Sequence, residues 1–451
     1  MTTRPPIDRT PPAERALVIH PVRGAASAVS RSPAARLDEA VGLAQALDLE
    51  IAGAEVVTLR SVTPATVFGS GKVREIGDLC EQIDAGVVVV DDALTPVQQR
   101  NLEKAWGVKV IDRTGLILEI FARRARTREG KLQVELARLA YERSRLVRTW
   151  THLERQRGGF GVMGGPGETQ IETDRRLIAD KIAKLKAQLV EVRRTRSLHR
   201  DARKRTPFPT IALVGYTNAG KSTLFNALTA GGVLAQDMLF ATLDPTLREL
   251  KLPGGRPAIL SDTVGFISDL PHELVEAFRA TLEEVQSADL VLHVRDIADP
   301  DSAAQARDVE AVLDRMGMEE DRDRRVIEVW NKIDLVPAED RAVLEARAAR
   351  SPETGLVAVT VSAVTGEGCA ALLQLVASRI DEGAPVDAIL GPQDGDAIAW
   401  LYRNGRVLER DDLADGQLRL RVRLEPQALG RFERLYPNAL SAPEPDAASV
   451  A

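Results

Sequence analysis

A glycine-rich segment that follows an apolar strand has the residue types and spacing to hold the phosphates of a nucleotide. In IALVGYTNAGKST, Gly215 is followed by four residues and then by Gly220, Lys221 and Ser222, which is the P-loop spacing. Backbone N–H groups at a helix N-terminus favour negative charge, and glycines let them approach it closely. We expect Lys221 to reach the β- and γ-phosphates and Ser222 to ligate Mg²⁺. The alternative is a glycine turn that merely precedes a helix. The predicted contacts are Gly215, Tyr216, Thr217, Asn218, Ala219, Gly220, Lys221, Ser222 and Thr223.

Two later segments supply further groups that phosphoryl transfer needs. The tetrapeptide DTVG, which begins at Asp262, ends an apolar strand. Its carboxylate can hold Mg²⁺ through water, and the N–H of Gly265 can sense a γ-phosphate. Between the P-loop and Asp262 lies FATLDPT, in which Thr242 is the predicted second Mg²⁺ ligand, on a mobile switch segment. The catalytic roles are therefore predicted for Lys221, Thr242 and Gly265.

Two further motifs predict that the base is guanine. NKID ends one strand and Ser362-Ala363 ends another. Asp334 can accept hydrogen bonds from both donors on the Watson–Crick edge of guanine, whereas adenine offers an acceptor at N1 and would be repelled. The N–H of Ala363 can donate to guanine O6, while Asn331 and Lys332 support the base and the loop. In order and spacing these motifs predict a GTPase, and they resemble the translation-factor-related class of P-loop GTPases.

Two residues bear on the mechanism. Phe266 follows Gly265 at the position where many small GTPases place the glutamine that orients the attacking water. We expect slow intrinsic hydrolysis, unless a neighbouring polar residue positions the water. Asn218 lies inside the P-loop, and GTPases with a similar asparagine often bind a potassium ion near the β/γ bridge. K⁺ is therefore a second cofactor to test, the alternative being that Asn218 only stabilises the loop.

Composition narrows the class of protein. A chain of 451 residues predicts about three domains. No run approaches the roughly 18 apolar residues of a transmembrane helix, and the N-terminal segment lacks the apolar core of a secretory signal. Cys80 and Cys369 are the only cysteines, which excludes a disulfide scaffold and a cysteine zinc site and suits a reducing cytoplasm. We expect a cytoplasmic monomer without integral membrane association.

The elements that position these motifs fall into several predicted domains. Four strand-like and three helix-like segments alternate before residue 112, which predicts a parallel sheet flanked by helices. The predicted fold class is α/β, with a P-loop GTPase domain, an N-terminal parallel-sheet domain, a long antiparallel helical hairpin and a small α+β C-terminal domain. We predict a disordered segment at 1–14, the N-terminal α/β domain at 15–112 and the basic helical hairpin at 113–206. The GTPase domain is predicted at 207–383, the C-terminal α+β domain at 384–440 and a disordered tail at 441–451. Within the C-terminal domain, strands are predicted at 397–403, 406–410 and 417–424, with Asn404-Gly405 as the turn between the first two.

Apolar residues at alternating spacings of four and three predict that two long helices pack as a coiled-coil hairpin. Thr169 with Glu172 suggests a capping box at the start of the second helix. The connection between the helices is a glycine-rich loop, 158–167. Arg143 breaks the first seam, and it either reaches solvent or pairs with an acid. The first seam comprises Leu132, Leu136, Leu139, Arg143, Leu146, Trp150 and Leu153, and the second comprises Ile178, Ile182, Leu185, Leu189 and Val192.

The net charge of −6 averages two different parts of the chain. Residues 121–205 contain 23 Lys and Arg against 10 Asp and Glu, a net of +13, so the rest carries −19. A basic block in an acidic chain suggests a polyanionic partner, although a solvated helical face is the simpler explanation.

Four stretches outside the nucleotide motifs are more specific: LTPVQQRNLE at 94–103, DRTGLILEIF at 112–121, EGKLQVELARL at 129–139 and GGPGETQIETDRR at 164–176. With these stretches the chain closely resembles the HflX family of ribosome-associated GTPases over nearly all of residues 55–383. The resemblance implies a GTP-dependent factor that binds the large ribosomal subunit and its RNA and splits stalled or idle ribosomes, especially under stress. It also implies that the N-terminal domain and the hairpin contact the ribosome, with the glycine loop near the peptidyl-transferase region.

Two other functions remain open at this point. One is a GTPase in ribosome assembly or RNA modification, and the other is a switch that binds a protein partner and needs no RNA. Some members of the family are reported to bind ATP through the N-terminal domain. The only glycine-lysine cluster there, GSGK at 69–72, lacks the P-loop spacing, so a strand-to-helix turn is the simpler interpretation.

Overall fold

The structure, a computed structural model, divides the chain into two compact units. One comprises residues 1–248 with 259–367, and the other comprises 249–258 with 368–451. The described residues are 14–24, 31–156, 166–204, 208–229, 239–240, 242–253, 255–268, 279–318, 325–350, 357–380, 385–413, 416–424, 426–437 and 439–441. Among them, no helix is both long enough and apolar enough to cross a membrane.

The first unit begins with the predicted parallel sheet. Its strands lie in the order β2-β1-β3-β4, and every neighbouring pair is parallel. The two inner strands are the most buried, since six consecutive residues of β1 and all four valines of β3 are buried. The predicted alternation of four strands and three helices is confirmed. The elements are β1 (Arg15–Arg23), α1 (Pro33–Gln45), β2 (Glu50–Leu59), α2 (Ser70–Gln82), β3 (Val87–Val90), α3 (Pro96–Trp106) and β4 (Lys109–Asp112).

Three helices follow: α4 (Arg113–Arg124), α5 (Arg128–Gln156) and α6 (Pro166–Lys204). The helix α4, which the sequence did not reveal as a separate element, buries its apolar face in the core that includes β1 and β3. Asp112 begins α4 by accepting a hydrogen bond from the N–H of Gly115 at 2.8 Å. The same carboxylate accepts from the Tyr141 hydroxyl at 2.5 Å and from Arg145 at 2.6 Å, so it also fixes α5 to the sheet.

The hairpin seam is confirmed where its side chains are described. Leu139, Ile182 and Leu185 are buried together, with partly buried Leu132, Leu136 and Ile178 packed against them. Arg143 is exposed, which agrees with the alternative that it reaches solvent. The capping-box prediction is wrong, because α6 already begins at Pro166 and places Thr169 inside the helix.

The outer part of the hairpin is described less completely. The seam side chains Leu146, Trp150 and Leu153 lie outside the described side chains, as does most of the glycine loop 158–167.

A second sheet carries the nucleotide motifs, with strand order β10-β9-β8-β5-β7-β6. The pairs from β10 to β7 are parallel. The carboxyl ends of parallel strands meet at one edge, which is where ligands bind in such sheets. The elements are β5 (Thr210–Gly215), α7 (Lys221–Thr229), β6 (Thr246–Lys251), β7 (Pro257–Asp262), α8 (Arg279–Ser287), β8 (Leu290–Asp296), α9 (Ser302–Arg315), β9 (Val326–Asn331), a 3₁₀ turn (Ile333–Leu335), α10 (Ala338–Arg350) and β10 (Val357–Thr360). The division into units passes through β6 and β7.

The second unit contains an antiparallel sheet with strand order β12-β13-β11-β14. The prediction of a strand at 397–403 is wrong, because this segment is helical. Asn404-Gly405 lies at the end of that helix and does not form a hairpin turn. Ala397 and Leu401 are buried four residues apart, on one helical face, and a run of seven mostly apolar residues does not distinguish a helix from a strand. The predicted strands at 406–410 and 417–424 are confirmed. The elements are α11 (Cys369–Ile380), β11 (Pro385–Leu390), α12 (Gly395–Asn404), β12 (Arg406–Asp412), β13 (Leu418–Arg423), α13 (Pro426–Leu435) and β14 (Leu440–Ser441).

Candidate nucleotide-binding site

The P-loop connects β5 to α7, and two of its glycines admit no side chain. Gly215 has φ 152°, and a Cβ there would lie 2.1 Å from the carbonyl oxygen of Val294 on β8. Gly220 has φ 88°, and its Cβ would lie 2.2 Å from Nδ2 of Asn331. The loop is therefore held against two neighbouring strands so closely that only glycine fits at either position.

The interior of the loop is arranged around Lys221. Its Nζ donates to the carbonyl oxygen of Tyr216 at 2.7 Å, and burial lowers the pKa of Lys221 to about 8, against an opposing effect of Asp262. The N–H of Thr217 donates to the carbonyl of Phe266 at 2.8 Å. The buried hydroxyl of Thr217 has no hydrogen-bond partner among the described residues. An ammonium group and a buried donor without a partner suit a polyanion such as a chain of phosphates.

Three oxygen atoms converge beside the loop, at the predicted Mg²⁺ site. The hydroxyls of Ser222 and Thr242 each donate to Oδ2 of Asp262 at 2.7 Å, and the two hydroxyl oxygens are 2.9 Å apart. Burial raises the pKa of Asp262, although these hydrogen bonds and Lys221 act in the opposite direction. Hydroxyl and carboxylate oxygens are the hard ligands that Mg²⁺ prefers, so this donor set fits the ion.

Gly265 and Phe266 lie against the other side of the P-loop. A Cβ on Gly265 would come within 2.9 Å of the Thr217 Cα and 3.0 Å of the Lys221 Nζ, so the Gly265 backbone closely approaches the phosphate-binding residues. Phe266 is 4% exposed and packs in the core, where its ring offers no hydrogen bond to a water.

The motifs predicted to bind the base lie at the ends of β9 and β10. Asn331 links them to the P-loop, because its Nδ2 donates to the Ala219 carbonyl at 2.8 Å. Its Oδ1 accepts from the N–H of Ala363 at 3.0 Å, so a bond from this N–H to guanine O6 would have to share or replace that contact. Lys332 adopts φ 64° and pairs with Asp296 at 2.7 Å.

The two remaining residues of these motifs differ in exposure. Asp334 lies exposed in the 3₁₀ turn, and Ser362 is wholly buried. The hydroxyl of Ser362 accepts from the N–H of Thr365 at 3.1 Å, so it shapes the loop that carries Ala363.

Comparison with known proteins shows which family of proteins this chain resembles. Four family profiles match: "GTP-binding GTPase N-terminal" at 34–122, "GTP-binding GTPase Middle Region" at 124–203, "50S ribosome-binding GTPase" at 210–332 and "HflX C-terminal domain" at 344–446. GTPase HflX of Magnetococcus marinus is 52% identical over 88% of this chain and 90% of its own. GTPase HflX of Escherichia coli is 46% identical over 80% and 83%. The chain belongs to the HflX GTPase family.

Solved structures are also similar over much of the chain, as one example shows. A GTP-binding protein from Sulfolobus solfataricus, in complex with GDP, aligns with 81% of this chain and 98% of its own at 21% identity and a TM-score of 0.45.

In this HflX-family GTPase, a buried charge network that the sequence did not predict joins the P-loop to the N-terminal domain. The hydroxyl of Tyr216 donates to Glu39 on α1 at 2.5 Å and accepts from the N–H of Ser268 at 2.9 Å. Arg113 on α4 donates to Glu39 at 2.5 Å and to the Ser268 carbonyl at 3.1 Å, and Arg31 pairs with Glu39 from the other side. The P-loop is therefore bonded to α1 through Tyr216, and the segment after Gly265 is bonded to α4 through Ser268.

The charges in this network stabilise one another. Burial opposes ionisation of Glu39, but the guanidinium groups of Arg113 and Arg31 outweigh it and hold the pKa of Glu39 below its usual value. Asp91, the residue that follows β3, behaves similarly, with Arg113 and His20 as its partners. The available sequence signal was the stretch DRTGLILEIF, which contains Arg113.

Two other clusters contain ionisable side chains that could bind a ligand or a metal ion. Lys72 of the GSGK cluster pairs with Glu55 at 2.5 Å and Glu75 at 2.7 Å, and Gly69 is the N-cap of α2, which agrees with a strand-to-helix turn. His293, Glu310 and Glu328 lie close enough to share a metal ion. Glu328 already accepts from Arg295 at 2.8 Å and Trp330 at 2.7 Å, so this buried carboxylate is satisfied by the protein itself.

Proposed function

We propose that this GTPase binds guanine nucleotides with Mg²⁺ and uses the basic helical hairpin to bind the large ribosomal subunit, splitting stalled or idle ribosomes under stress. The P-loop and the NKID motif meet through Asn331, which supports a single site for phosphates and base. Ser222 and Thr242 would hold the metal ion, with Asp262 accepting from both hydroxyls. When bound, Mg²⁺ supplies positive charge beside the β- and γ-phosphates.

The protein groups then act mainly by position and charge. Lys221 neutralises the β- and γ-phosphates, and the backbone of Gly265 lies where it can donate to the γ-phosphate. Asp334 accepts from the guanine edge. Since Phe266 is buried and cannot orient water, hydrolysis by the free protein is slow and a bound ribosome completes the site.

Nucleotide choice is tested by Asp334→Asn. The substitution replaces one acceptor with a donor, so GTP should bind more weakly and xanthosine triphosphate, whose 2-oxo group needs a donor, should bind more tightly. A mismatch of this kind in a site built for hydrogen bonding costs on the order of 100-fold or more in affinity. Unchanged GTP affinity in competitive titrations would remove Asp334 from the site.

The observation that carries the proposed RNA contact is the exposed charge of α6. This helix of 39 residues spans about 58 Å. Among its described side chains, exposed basic residues outnumber exposed acidic ones, which are Asp180 and Glu191. A long basic surface suits a phosphate backbone, and ribosomal RNA is an abundant polyanion. The exposed basic residues are Arg175, Arg176, Lys181, Lys184, Lys186 and Arg194.

Charge reversal tests this surface. Lys181, Lys184 and Lys186 lie exposed within two turns of α6, and replacing all three with Glu should weaken binding to large subunits. It should also flatten the salt dependence, since log affinity falls by about 0.9 per neutralised phosphate for each tenfold rise in salt. The control replaces three exposed arginines of the GTPase domain with Glu; these are Arg307, Arg315 and Arg350. Equal effects of the two triple changes would exclude a specific hairpin contact.

Sedimentation with ribosomes and separate subunits distinguishes splitting from the two other functions. With a non-hydrolysable GTP analogue, splitting predicts loss of whole ribosomes and binding to large subunits, whereas GDP has no such effect. Shortening the loop 158–167 should abolish splitting while sparing much of the affinity. Binding to precursor particles alone would indicate assembly or RNA modification, and absence of co-sedimentation would indicate a protein-partner switch.

A further inference from the structure

The switch segment, here residues 239, 240 and 242–244, contains Thr242. It is attached to the N-terminal half of the chain by two residues that precede Thr242 and by one that follows it. Two residues after Thr242, the carboxylate of Asp244 accepts from the backbone N–H groups of Arg126 and Thr127, each at 2.8 Å. It also accepts from the hydroxyl of Thr127 at 2.5 Å. These donors lie 117 or more residues away in sequence, immediately before α5.

The contact places a negative charge at the N-terminus of the first hairpin helix. Thr127 begins α5, since its hydroxyl accepts from the N–H of Gly130 at 3.0 Å and its carbonyl accepts from that of Lys131. Asp244 therefore extends the cap of α5 and interacts favourably with the helix dipole. A side chain at position 130 would have to displace Asp244, because a Cβ there would lie 2.4 Å from its Oδ1.

The residues before Thr242 are fixed by packing. Phe240 is 2% exposed, and its ring meets that of Phe121 on α4 edge to face, with the centroids 4.7 Å apart. Its backbone has φ 56°, a costly conformation for an aromatic residue that persists only where the surroundings enforce it. Leu239 packs so closely on α1 that a Cβ on Gly42 would lie 3.1 Å from its Cδ1.

From this geometry we infer that Asp244 is a positioning residue for GTP hydrolysis: by capping α5, it holds the Thr242 hydroxyl where the metal ion binds. The inference rests on the proposed role of Thr242 as a Mg²⁺ ligand. The Thr242 hydroxyl, which is 2.9 Å from that of Ser222, belongs to a segment that contacts α4 before it and the start of α5 after it. A displacement of the hairpin base therefore moves a ligand of the metal ion.

The test alters the contact from both sides. Asp244→Asn keeps the shape of the side chain, removes its negative charge and replaces one of its two accepting oxygens with an NH2 group. Gly130→Ala leaves the GTPase domain unchanged and inserts a methyl group against Asp244, in a helix that alanine otherwise favours. The control is Gly71→Ala, the same change in the first turn of α2, where a Cβ meets nothing within 4 Å. Thr242→Ala serves as the reference for loss of the ligand itself.

Hydrolysis of GTP is measured as a function of GTP and Mg²⁺ concentration, with GDP affinity as the readout of folding. We expect Asp244→Asn and Gly130→Ala to lower kcat by roughly 10- to 100-fold, since a misplacement of about 1 Å costs that much. We also expect them to raise the Mg²⁺ concentration for half-maximal rate, with GDP affinity unchanged. A purely structural role would lower GDP affinity and stability without moving the Mg²⁺ requirement.

The outcomes separate this inference from the proposal on which it rests. If Thr242→Ala hydrolyses GTP normally, the assignment of Thr242 as a ligand fails. If Thr242→Ala is impaired but Asp244→Asn and Gly130→Ala behave like Gly71→Ala, the assignment of Thr242 stands and the positioning role of Asp244 is overturned. A loss of GDP affinity in Gly130→Ala equal to its loss of hydrolysis would also overturn it.

Discussion

Glu39 is the central anion between the N-terminal domain and the P-loop, and Glu39→Gln measures what that charge contributes to stability. Its side chain is 5% exposed. One carboxylate oxygen accepts from Arg113 at 2.5 Å, and the other accepts from Tyr216 at 2.5 Å and from Arg31. Glutamine keeps the shape and one acceptor, but it removes the charge that balances the guanidinium groups of Arg113 and Arg31.

The expected size of the effect follows from this burial. Removing one partner of a buried ion pair costs about 3–5 kcal/mol, because the remaining charge is left uncompensated. Arg113 retains Asp91 and Arg31 retains Asp301, so the lower value, about 3 kcal/mol, is appropriate for Glu39→Gln. A domain of this size melts about 2–4 °C lower per kcal/mol, which predicts a fall of about 6–12 °C.

Thermal unfolding of the full chain provides the assay. The transition to follow is the one that GDP raises, since a ligand of the native state stabilises the domain that binds it. The control is Glu55→Gln, which removes the carboxylate from the ion pair between Glu55 and Lys72. The side chain of Glu55 is 34% exposed and that of Lys72 is 24% exposed. Such a partly exposed pair contributes about 1 kcal/mol or less. If the two variants lower the melting temperature equally, the network does not stabilise the protein as its geometry indicates.

Three further predictions follow from the site. The pKa values of Glu39 and Asp91 are held below their usual values. The stability that these groups contribute is therefore present above about pH 4 and is lost as pH falls through their folded-state pKa values. Melting temperatures measured down to pH 3 should fall less in Glu39→Gln than in the original protein. Gly220→Ala should reduce GDP affinity by more than about tenfold, because its Cβ would lie 2.2 Å from the side-chain Nδ2 of Asn331. Gly71→Ala should leave the GDP affinity measured by titration unchanged. If Asn218 helps to bind a potassium ion, hydrolysis should be faster in KCl than in NaCl of equal ionic strength, and equal rates would contradict that role.

The sequence could predict which residues the structure groups around the P-loop, because the motifs that contain them are local. The P-loop is a contiguous motif, and its glycines are dictated by contacts of the backbone itself. Asp262, Asn331 and Ser362 each lie at or just beyond the end of an apolar strand, so the parallel sheet brings them together once the alternation of elements is recognised. Thr242 could be placed only by its order in the chain, yet its hydroxyl lies 2.7 Å from Asp262.

The contacts that the sequence did not reveal join side chains far apart in the chain. Glu39 and Tyr216 are separated by 177 residues, and Thr127 and Asp244 by 117. No periodicity or local propensity encodes such a pair, because each residue taken alone suits a solvent-exposed position. The error at 397–403 has a different origin, since that run is too short and too apolar for its period to distinguish a helix from a strand.

The long-range contacts of Ser268 and Asp244 bear on how a partner bound to the hairpin could change GTP hydrolysis. Ser268 is held by Arg113, and Asp244 is held at the start of α5, so the segments that follow Gly265 and Thr242 are both bonded to the N-terminal half of the chain. A polyanion bound to the hairpin can change hydrolysis only if it favours one arrangement of these segments over another. Any free energy that the polyanion adds to GTP binding must also appear as tighter binding of that polyanion in the presence of GTP, because coupling between two binding equilibria is reciprocal. The proposal that a bound ribosome completes the site rests on Phe266, which is buried at the position where many small GTPases place a glutamine.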